Sequence, residues 1–446
     1  MSCHEAFKFI VQSAVAIKRH FPRLLEMFSE MPDQRKRPQY KTEELLMAVI
    51  SIFLFKRGSR NNADNTGAKG HFNVNYERIF KCQLPDTDTS NKLLKELDPQ
   101  HLEVLKRDMV RLLIRKKIFD QFRYNGIYHQ VAIDGTGLYS FDYEPYPGCP
   151  KKTSKNDKVT YTVYVLEAKL ICSNGFSVSM ATEWIRNPES GDYDKQDCEL
   201  KAFVRLSEKI KKLYPRMPIL LLADGLYPNN TGFDICKKYG WPFIFTFKDG
   251  NLKSIWEEVN LLKPIIQNNQ LQWLNTIGSW KENHTYFFFN NLDYGKHNLH
   301  LAEAHISRTK KDAKTDGTVI ETEKFVHIST ITIHKDNCRQ ISQTGRLRWK
   351  IENEGFNTQK NGGYALSHKY SRTSHAASCN YYQCLQIAHI IDQLALLSKS
   401  IKEKYFKDDK ESVKSLKEFG MAILLVHNFS TNKINQLLES VGQLRY

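Results

Sequence analysis

The chain has 446 residues, too many for one ordinary core, and its 41% hydrophobic and 12% aromatic content excludes a disordered polymer. It carries 65 Lys and Arg against 49 Asp and Glu, a net +16. That excess points to nucleic acid or an anionic surface, although a solvated basic surface alone would carry the same charge.

Residues 1 to about 125 read as helical. Glu5 stands where a signal peptide carries basic residues, so no secretory leader is expected. Residues 42–55 form an apolar-rich helix after the basic segment Arg35-Lys36-Arg37. Its apolar run, 45–55, is short of the ~20 residues a spanning helix needs, and no membrane partner is expected. Residues 58–70, rich in Asn, Gly and Arg, read as a loop. Asp98-Pro99 reads as an N-cap and first-turn pair. Leu102, Leu105, Met109, Leu112 and Leu113 follow at helical spacing, and Arg115-Lys116-Lys117 closes that helix at its negative end. The nine cysteines are scattered without a CxxC pair, so zinc ligation is not expected and reduced thiols in a cytoplasmic protein are the simplest reading.

From Tyr128 the texture changes to strand. Residues 129–141 form a strand carrying Asp134. Residues 158–172 and 176–185 are β-rich and joined by the hairpin signal Ser173-Asn174-Gly175. An amphipathic helix (197–213), a wholly apolar strand (218–223), a helix (231–239) and a second buried strand (242–247) follow. The order β-β-β-α-β-α-β is that of a ribonuclease-H-like mixed sheet. Residues 249–334 then break the pattern. They hold Trp273, Trp280, the run Tyr286-Phe287-Phe288-Phe289, polar turns such as Asp316-Gly317, and strands including 325–333, and read as a mostly β insertion. A helix is predicted over 337–360 and a buried helix over 376–397. The tail from about 400 is Lys-rich and then amphipathic through Ile434, Leu437, Leu438, Val441 and Leu444.

Three acidic residues stand in informative settings. Asp134 ends the apolar run Val131-Ala132-Ile133, Asp224 ends the apolar strand before it, and Glu352 lies in Arg348-Trp349-Lys350-Ile351-Glu352 on the late helix. A βαβ sheet gathers ligands at the carboxyl ends of its parallel strands. Two such carboxylates repel unless a hard dication joins them, and oxygen ligands suit Mg²⁺. The competing reading is that Asp-Gly is a turn dipeptide, as at Asp249-Gly250 and Asp316-Gly317. Arg348 falls four residues before Glu352, on one helix face, where it can grip a phosphate; an exposed i,i+4 salt bridge is the alternative. Glu354 is a second candidate ligand, facing about 200° from Glu352 at ~100° per residue.

These residues resemble the DDE transposases of bacterial insertion sequences, in the cut-and-paste branch of the insertion-sequence family four type that forms DNA hairpins. That branch carries a late-helix signature of Tyr, two residues, Arg, three residues, Glu, six residues, Lys. Arg348 and Glu352 fit it within an Arg-Trp-x-Ile-Glu core, and Asp134-Gly-Thr and Asp224 fit its first two acids. The signature Tyr falls at Gly345 and the Lys at Gln359, with Lys360 one place later; a one-residue bulge near Gly355 would bring Lys360 into line.

The resemblance implies a metal-dependent DNA transposase. Asp134, Asp224 and Glu352 would hold two Mg²⁺ ions, with Mn²⁺ able to substitute. Arg348 and Lys360 would bind phosphate, and Phe325 would stack on a flipped base in place of the family's insertion Trp. Trp273 and Trp280 are the rival stackers. The partners implied are double-stranded DNA, as element ends and target, and a second copy in a homodimer, in the bacterial cytoplasm on the nucleoid. The parts expected are a helical DNA-binding domain (1–125, with basic clusters Lys18-Arg19, Arg35-Lys36-Arg37 and Lys56-Arg57), a catalytic core (126–248 and 335–399), the β insertion (249–334) and a helical tail suited to dimerisation (400–446). A catalytically silent DNA-binding homologue and a ribonuclease-H-fold nuclease are the alternatives.

Overall fold

The computed structural model describes residues 2–188, 197–266, 268–278, 280–311, 318–406, 412–439 and 445–446. The turn expected at Asp316-Gly317 and the tail positions Val441 and Leu444 lie outside them. The helical N-terminal part holds α1 (Cys3–Ile10), α2 (Gln12–His20), α3 (Leu24–Ser29), α4 (Thr42–Leu54), α5 (Arg60–Gly67), α6 (Phe72–Phe80), α7 (Thr87–Glu96) and α8 (Pro99–Arg115). Asp98 caps α8 as expected, its side chain accepting from the Gln100 backbone N–H at 2.9 Å with Pro99 in the first turn. The loop expected over 58–70 is largely α5 instead. Ser59 caps it through the Asn62 N–H, and Asp64 is tied to the backbone and hydroxyl of Thr87, so local caps outweigh the low propensity of Asn and Gly.

The second half is built on one sheet. Its strands are β1 (His129–Phe141), β2 (Lys151–Thr153), β3 (Val159–Ile171), β4 (Ser177–Ile185), β5 (Ile219–Ala223), β6 (Phe243–Thr246), β7 (Gln270–Ile277), β8 (Trp280–Tyr294), β9 (His297–Lys311) and β10 (Thr318–Ser329). Helices α9 (Glu199–Leu213), α10 (Asn230–Tyr239) and α11 (Lys253–Leu262) alternate with the middle strands. The chain is thus mixed α/β. β1, β3 and β4 form an antiparallel meander, β5 and β6 add parallel to β1, and β10, β9, β8 and β7 continue antiparallel from β6. The expected β insertion is therefore an extension of the core sheet, with α11 ahead of it.

The last part comprises α12 (Cys338–Arg346), a π-helical turn (Ile351–Asn357), α13 (Thr358–Asn361), α14 (His375–Leu396), α15 (Lys399–Tyr405), α16 (Val413–Val426) and α17 (Thr431–Glu439). α14 is buried on all sides and packs on α2, α4, α7, α8 and β4. The division expected at residue 125 is therefore a change of secondary structure within one continuous core. The tail also folds back, with α16 on α1 and α17 against α2 and α6. No helix among the described residues is long and apolar enough to cross a membrane.

At the centre of the helical half, Asp392 of α14 accepts hydrogen bonds from Ser13 (2.7 Å), Lys56 (2.6 Å), Tyr364 (2.8 Å) and Lys417 (3.2 Å). Burial alone would raise this carboxyl, but Lys417 and Lys56 hold it below the usual carboxylate range. Lys56, expected from sequence in a DNA-binding cluster with Arg57, is instead a buried counter-ion to Asp392. Arg57 beside it is half-buried and bonded to the Phe55 carbonyl and Thr66. Replacing Asp392 with Ala leaves two buried ammonium groups unpaired. Asp392→Ala should cost about 3–5 kcal/mol in denaturant unfolding; a loss under ~1 kcal/mol would show that the charge is not what holds these helices.

Candidate active site

β1 pairs with β5 only from His129–Ala132 against Ile219–Leu222. β1 then outruns its neighbour. Asp134, expected at a strand end, lies inside β1 opposite Glu167 of β3, two residues past the last pairing with β5. Asp224 follows β5 directly. Both acids therefore reach the same carboxyl edge of the parallel strands. The turn reading of Asp224-Gly225 also holds, because Asp224 Oδ1 accepts from the Leu226 N–H at 2.8 Å. Lys248 approaches its other oxygen at 3.5 Å. Asp249-Gly250 is an ordinary turn, with Gly250 at φ +92°.

The helix expected across 337–360 is interrupted. α12 stops at Arg346, Leu347-Arg348 form a turn, and the chain resumes through the π-helical stretch. Arg348 is consequently not paired with Glu352 along a helix face. Its Nη1 donates to Asp134 Oδ2 at 3.0 Å, and the side chain is nearly buried. Glu352 is exposed and forms no hydrogen bond or ion pair with a described residue. Glu354 is bound to Lys350 at 2.5 Å.

The one-residue bulge expected near Gly355 is this π-helical turn. A Cβ on Gly355 would lie 3.0 Å from Ser177 Oγ and 3.3 Å from Lys169 Nζ, so any side chain there would need these neighbours on β4 and β3 to give way by a few tenths of an ångström. The extra residue turns Gln359 into the core, where its amide bonds Gln386 and His389 at 2.9 and 3.0 Å. Lys360 then faces the strand and donates to Thr136 Oγ1 at 2.8 Å. Thr136 and Asp134, two apart on β1, share one face. Gly345, the position of the signature Tyr, has no space for any side chain: a Cβ there would meet the His327 ring at 2.3 Å.

Burial pushes the Asp134 carboxyl up to about 6; Arg348 pulls it down, and the charges of Glu199, Glu352 and Asp224 push it up again. The three predicted acids therefore share one field. Among the described residues, however, no three His, Cys, Asp or Glu side chains stand close enough to form a ready-made metal group. The donor set still fits a hard dication, being carboxylate oxygen throughout, with the ionisation of Asp134 disfavoured first by burial.

Glu199, the first residue of α9, was not singled out by sequence reasoning. It stands beside Gly135, on the face of β1 opposite Asp134; a Cβ on Gly135 would come 2.8 Å from its Oε2. Buried Tyr227 donates to its Oε1 at 2.6 Å. Burial raises the Glu199 carboxyl, Tyr227 lowers it, and Asp224 raises it. An acid in a helix's first turn is so common a dipole device that its sequence position carries no signal.

In the insertion, Phe325 is half-buried under the Arg346 guanidinium, 4.2 Å from its ring centroid. Arg339 covers Trp273 at 3.8 Å, and Lys310 covers Trp280 at 4.3 Å. Cross-strand register puts Leu271, Tyr286, Ala304 and Phe325 in one row. Trp273, two residues from Leu271, thus shares a sheet face with Phe325 although far from it in sequence. No model of a known protein family matches the chain, and no curated protein matches it.

The Asp134 environment predicts a pH effect. Its folded pKa of about 6 lies above that of an unfolded Asp, ~3.9, so its contribution to stability is present at low pH and is lost as pH rises through 6. With a chelator present, Asp134→Asn should flatten stability between pH 4 and 7 and raise it at pH 8 by roughly 1–3 kcal/mol. A destabilised variant at pH 8 would mean the Arg348 ion pair outweighs the burial cost.

Proposed function

We propose that the chain is a cut-and-paste DNA transposase on a ribonuclease-H-like core. It would cut phosphodiester bonds at element ends and join them to target DNA. The strand order β4-β3-β1-β5-β6 supports that fold. The observation that carries the function is the gathering of Arg348 and Lys360 on the Asp134 face of β1, with Asp224 and Glu352 in the same field. Asp134, Asp224 and Glu352 would hold two Mg²⁺ ions, with Mn²⁺ able to replace them. When bound, these dications supply an activated water and polarise the scissile phosphate. Arg348 transfers its guanidinium from Asp134 to a phosphate oxygen, and Lys360 does the same from Thr136, so both cations hold the phosphate beside the acids. Glu352 is the better third ligand than Glu354, because Glu354 is already neutralised by Lys350. The basic residues Lys18, Arg19, Lys36 and Arg37 would hold the element's ends, and two copies would pair them in the bacterial cytoplasm.

A second reading, a DNA-binding homologue that does not cut, is favoured by two observations: Arg348 occupies Asp134, and among the described residues no three acids are pre-assembled. Purified protein, duplex carrying the flanking repeats and Mg²⁺ separate the readings. Strand-transfer products support the transposase, cuts without joining indicate a nuclease, and a gel shift alone indicates a binder.

Asp134→Ala, Asp224→Ala and Glu352→Ala should each abolish cleavage and leave end binding within a few-fold. Retained cutting in Glu352→Ala with loss in Glu354→Ala would move the third ligand. Arg348→Ala should slow cleavage far more than it weakens binding. Phe325→Ala should slow hairpin formation by roughly ten- to a hundredfold while sparing first-strand nicking, since stacking is worth about 1–3 kcal/mol per base. Trp273→Ala and Trp280→Ala, assayed in parallel, identify the stacker if Phe325→Ala forms hairpins normally.

A further inference from the structure

A cavity of about 610 Å³ opens at the other end of the parallel strands, where α8 crosses the α9–β5 connection and the start of β1. Its rim carries Arg111, Arg115, Arg123 and Arg216, against a single acid, Asp108. That acid is already held by both arms of Arg107, at 2.9 and 2.9 Å. Arg111 donates to the Leu213 carbonyl and is turned toward the Tyr214 ring. Arg123 pairs with Asp120 at 2.7 Å, yet its Nε is buried without a partner. Arg115 and Arg216 are exposed and make no hydrogen bond or ion pair with a described residue. His129, on the cavity floor, does not add to the charge at neutral pH: burial and then Arg123 push it down to about 4.

Four guanidinium groups around one concavity, two of them unpaired, repel one another unless an anion enters. The planar fork of Arg matches phosphate oxygens two at a time, which selects phosphate over a simple halide. The cavity is separate from the carboxylate site, because Asp134 lies five residues beyond His129 on β1, or about 16 Å along the strand. We propose that this cavity is a second phosphate site that grips the DNA backbone away from the cutting centre. The proposal rests on DNA being the substrate, but not on the assignment of the acids. A bound strand would be held at two ends of one rigid sheet, which fixes its angle to the carboxylates. Phosphate contacts of this kind set register and orientation without reading sequence.

The test uses the full chain and fluorescence anisotropy of a labelled 30-base-pair duplex across a salt series. In Arg115→Gln/Arg216→Gln the slope of log affinity against log salt should become less steep by about 2, at roughly 0.9 per phosphate contact. A control with equal charge loss elsewhere, Lys237→Gln/Lys238→Gln on α10, should leave the slope nearly unchanged. Equal slopes in the cavity variant and the wild type, or the same drop in the control, would overturn the proposal. Competition with pyrophosphate and with a free deoxynucleoside triphosphate distinguishes the sources of phosphate. If the cavity variant loses only these and keeps duplex binding, the DNA assignment fails. Both exchanged arginines are exposed and unpaired, so the melting temperature should stay within a few degrees. Cleavage that fails in Asp134→Ala while binding persists tests the catalytic reading independently.

Discussion

Asp392 is the charge on which the helical half is assembled. It draws Ser13 from α2, Lys56 from the end of α4, Tyr364 from behind the late helix and Lys417 from α16 onto one side chain of α14. A lone carboxylate at this depth would be prohibitively costly to desolvate; two ammonium groups and two hydroxyls make it tolerable, and only when all four stretches are in place. The polar network therefore specifies an arrangement that burial of apolar surface alone would leave loosely determined. Tyr364 follows the π-helical turn and α13, so the same anchor fixes the chain leaving the candidate site.

A second polar chain does comparable work beneath the acids. Gln359, Gln386, His389 and Gln393 are all buried and mutually hydrogen-bonded, and Gln393 bonds the backbone of Ser177 on β4 at both its N–H and its carbonyl. His389 is kept neutral by burial and by Lys169, so it can serve this chain without adding charge. A π-helical turn is ordinarily less favourable than continuing the α-helix. Here Gly355 removes the steric obstacle, and Gln359 repays the distortion with buried hydrogen bonds. The consequence reaches the site directly: the residue that faces β1 is Lys360, not Gln359.

Much of this was legible from residue order. The apolar runs of β5 and β6, the cap at Asp98-Pro99, the hairpin at Ser173-Asn174-Gly175 and the buried helix near 376–397 all follow from local pattern, and the structure places them within a residue or two. What was not legible depends on long-range partners. Lys56 looked like a surface cation because nothing nearby in sequence reveals Asp392. The loop expected at 58–70 became α5 through Ser59 and the distant Thr87. Arg348 looked helical by its spacing to Glu352, yet the pull of Asp134 lies across the fold. Glu199 and the Arg-rimmed cavity gain meaning only once α8, α9 and β1 are brought together.

The relation between Asp134 and Arg348 gives the candidate site its character. Burial raises the cost of ionising Asp134, the Arg348 guanidinium offsets part of it, and the neighbouring acids add to it again. Any ligand that brings positive charge to the acids competes with Arg348, and any ligand that brings negative charge competes for it. A phosphate accompanied by dications does both at once, so the two exchanges favour each other. Arg348 stands in a turn between two helical segments, with its guanidinium 4.7 Å from the Trp349 ring centroid and paired to Asp134. On the proposed function, binding of the anion and release of the acid would be one coupled event. On that reading, the ion pair between Asp134 and Arg348 would keep the acid occupied until a charged substrate arrives.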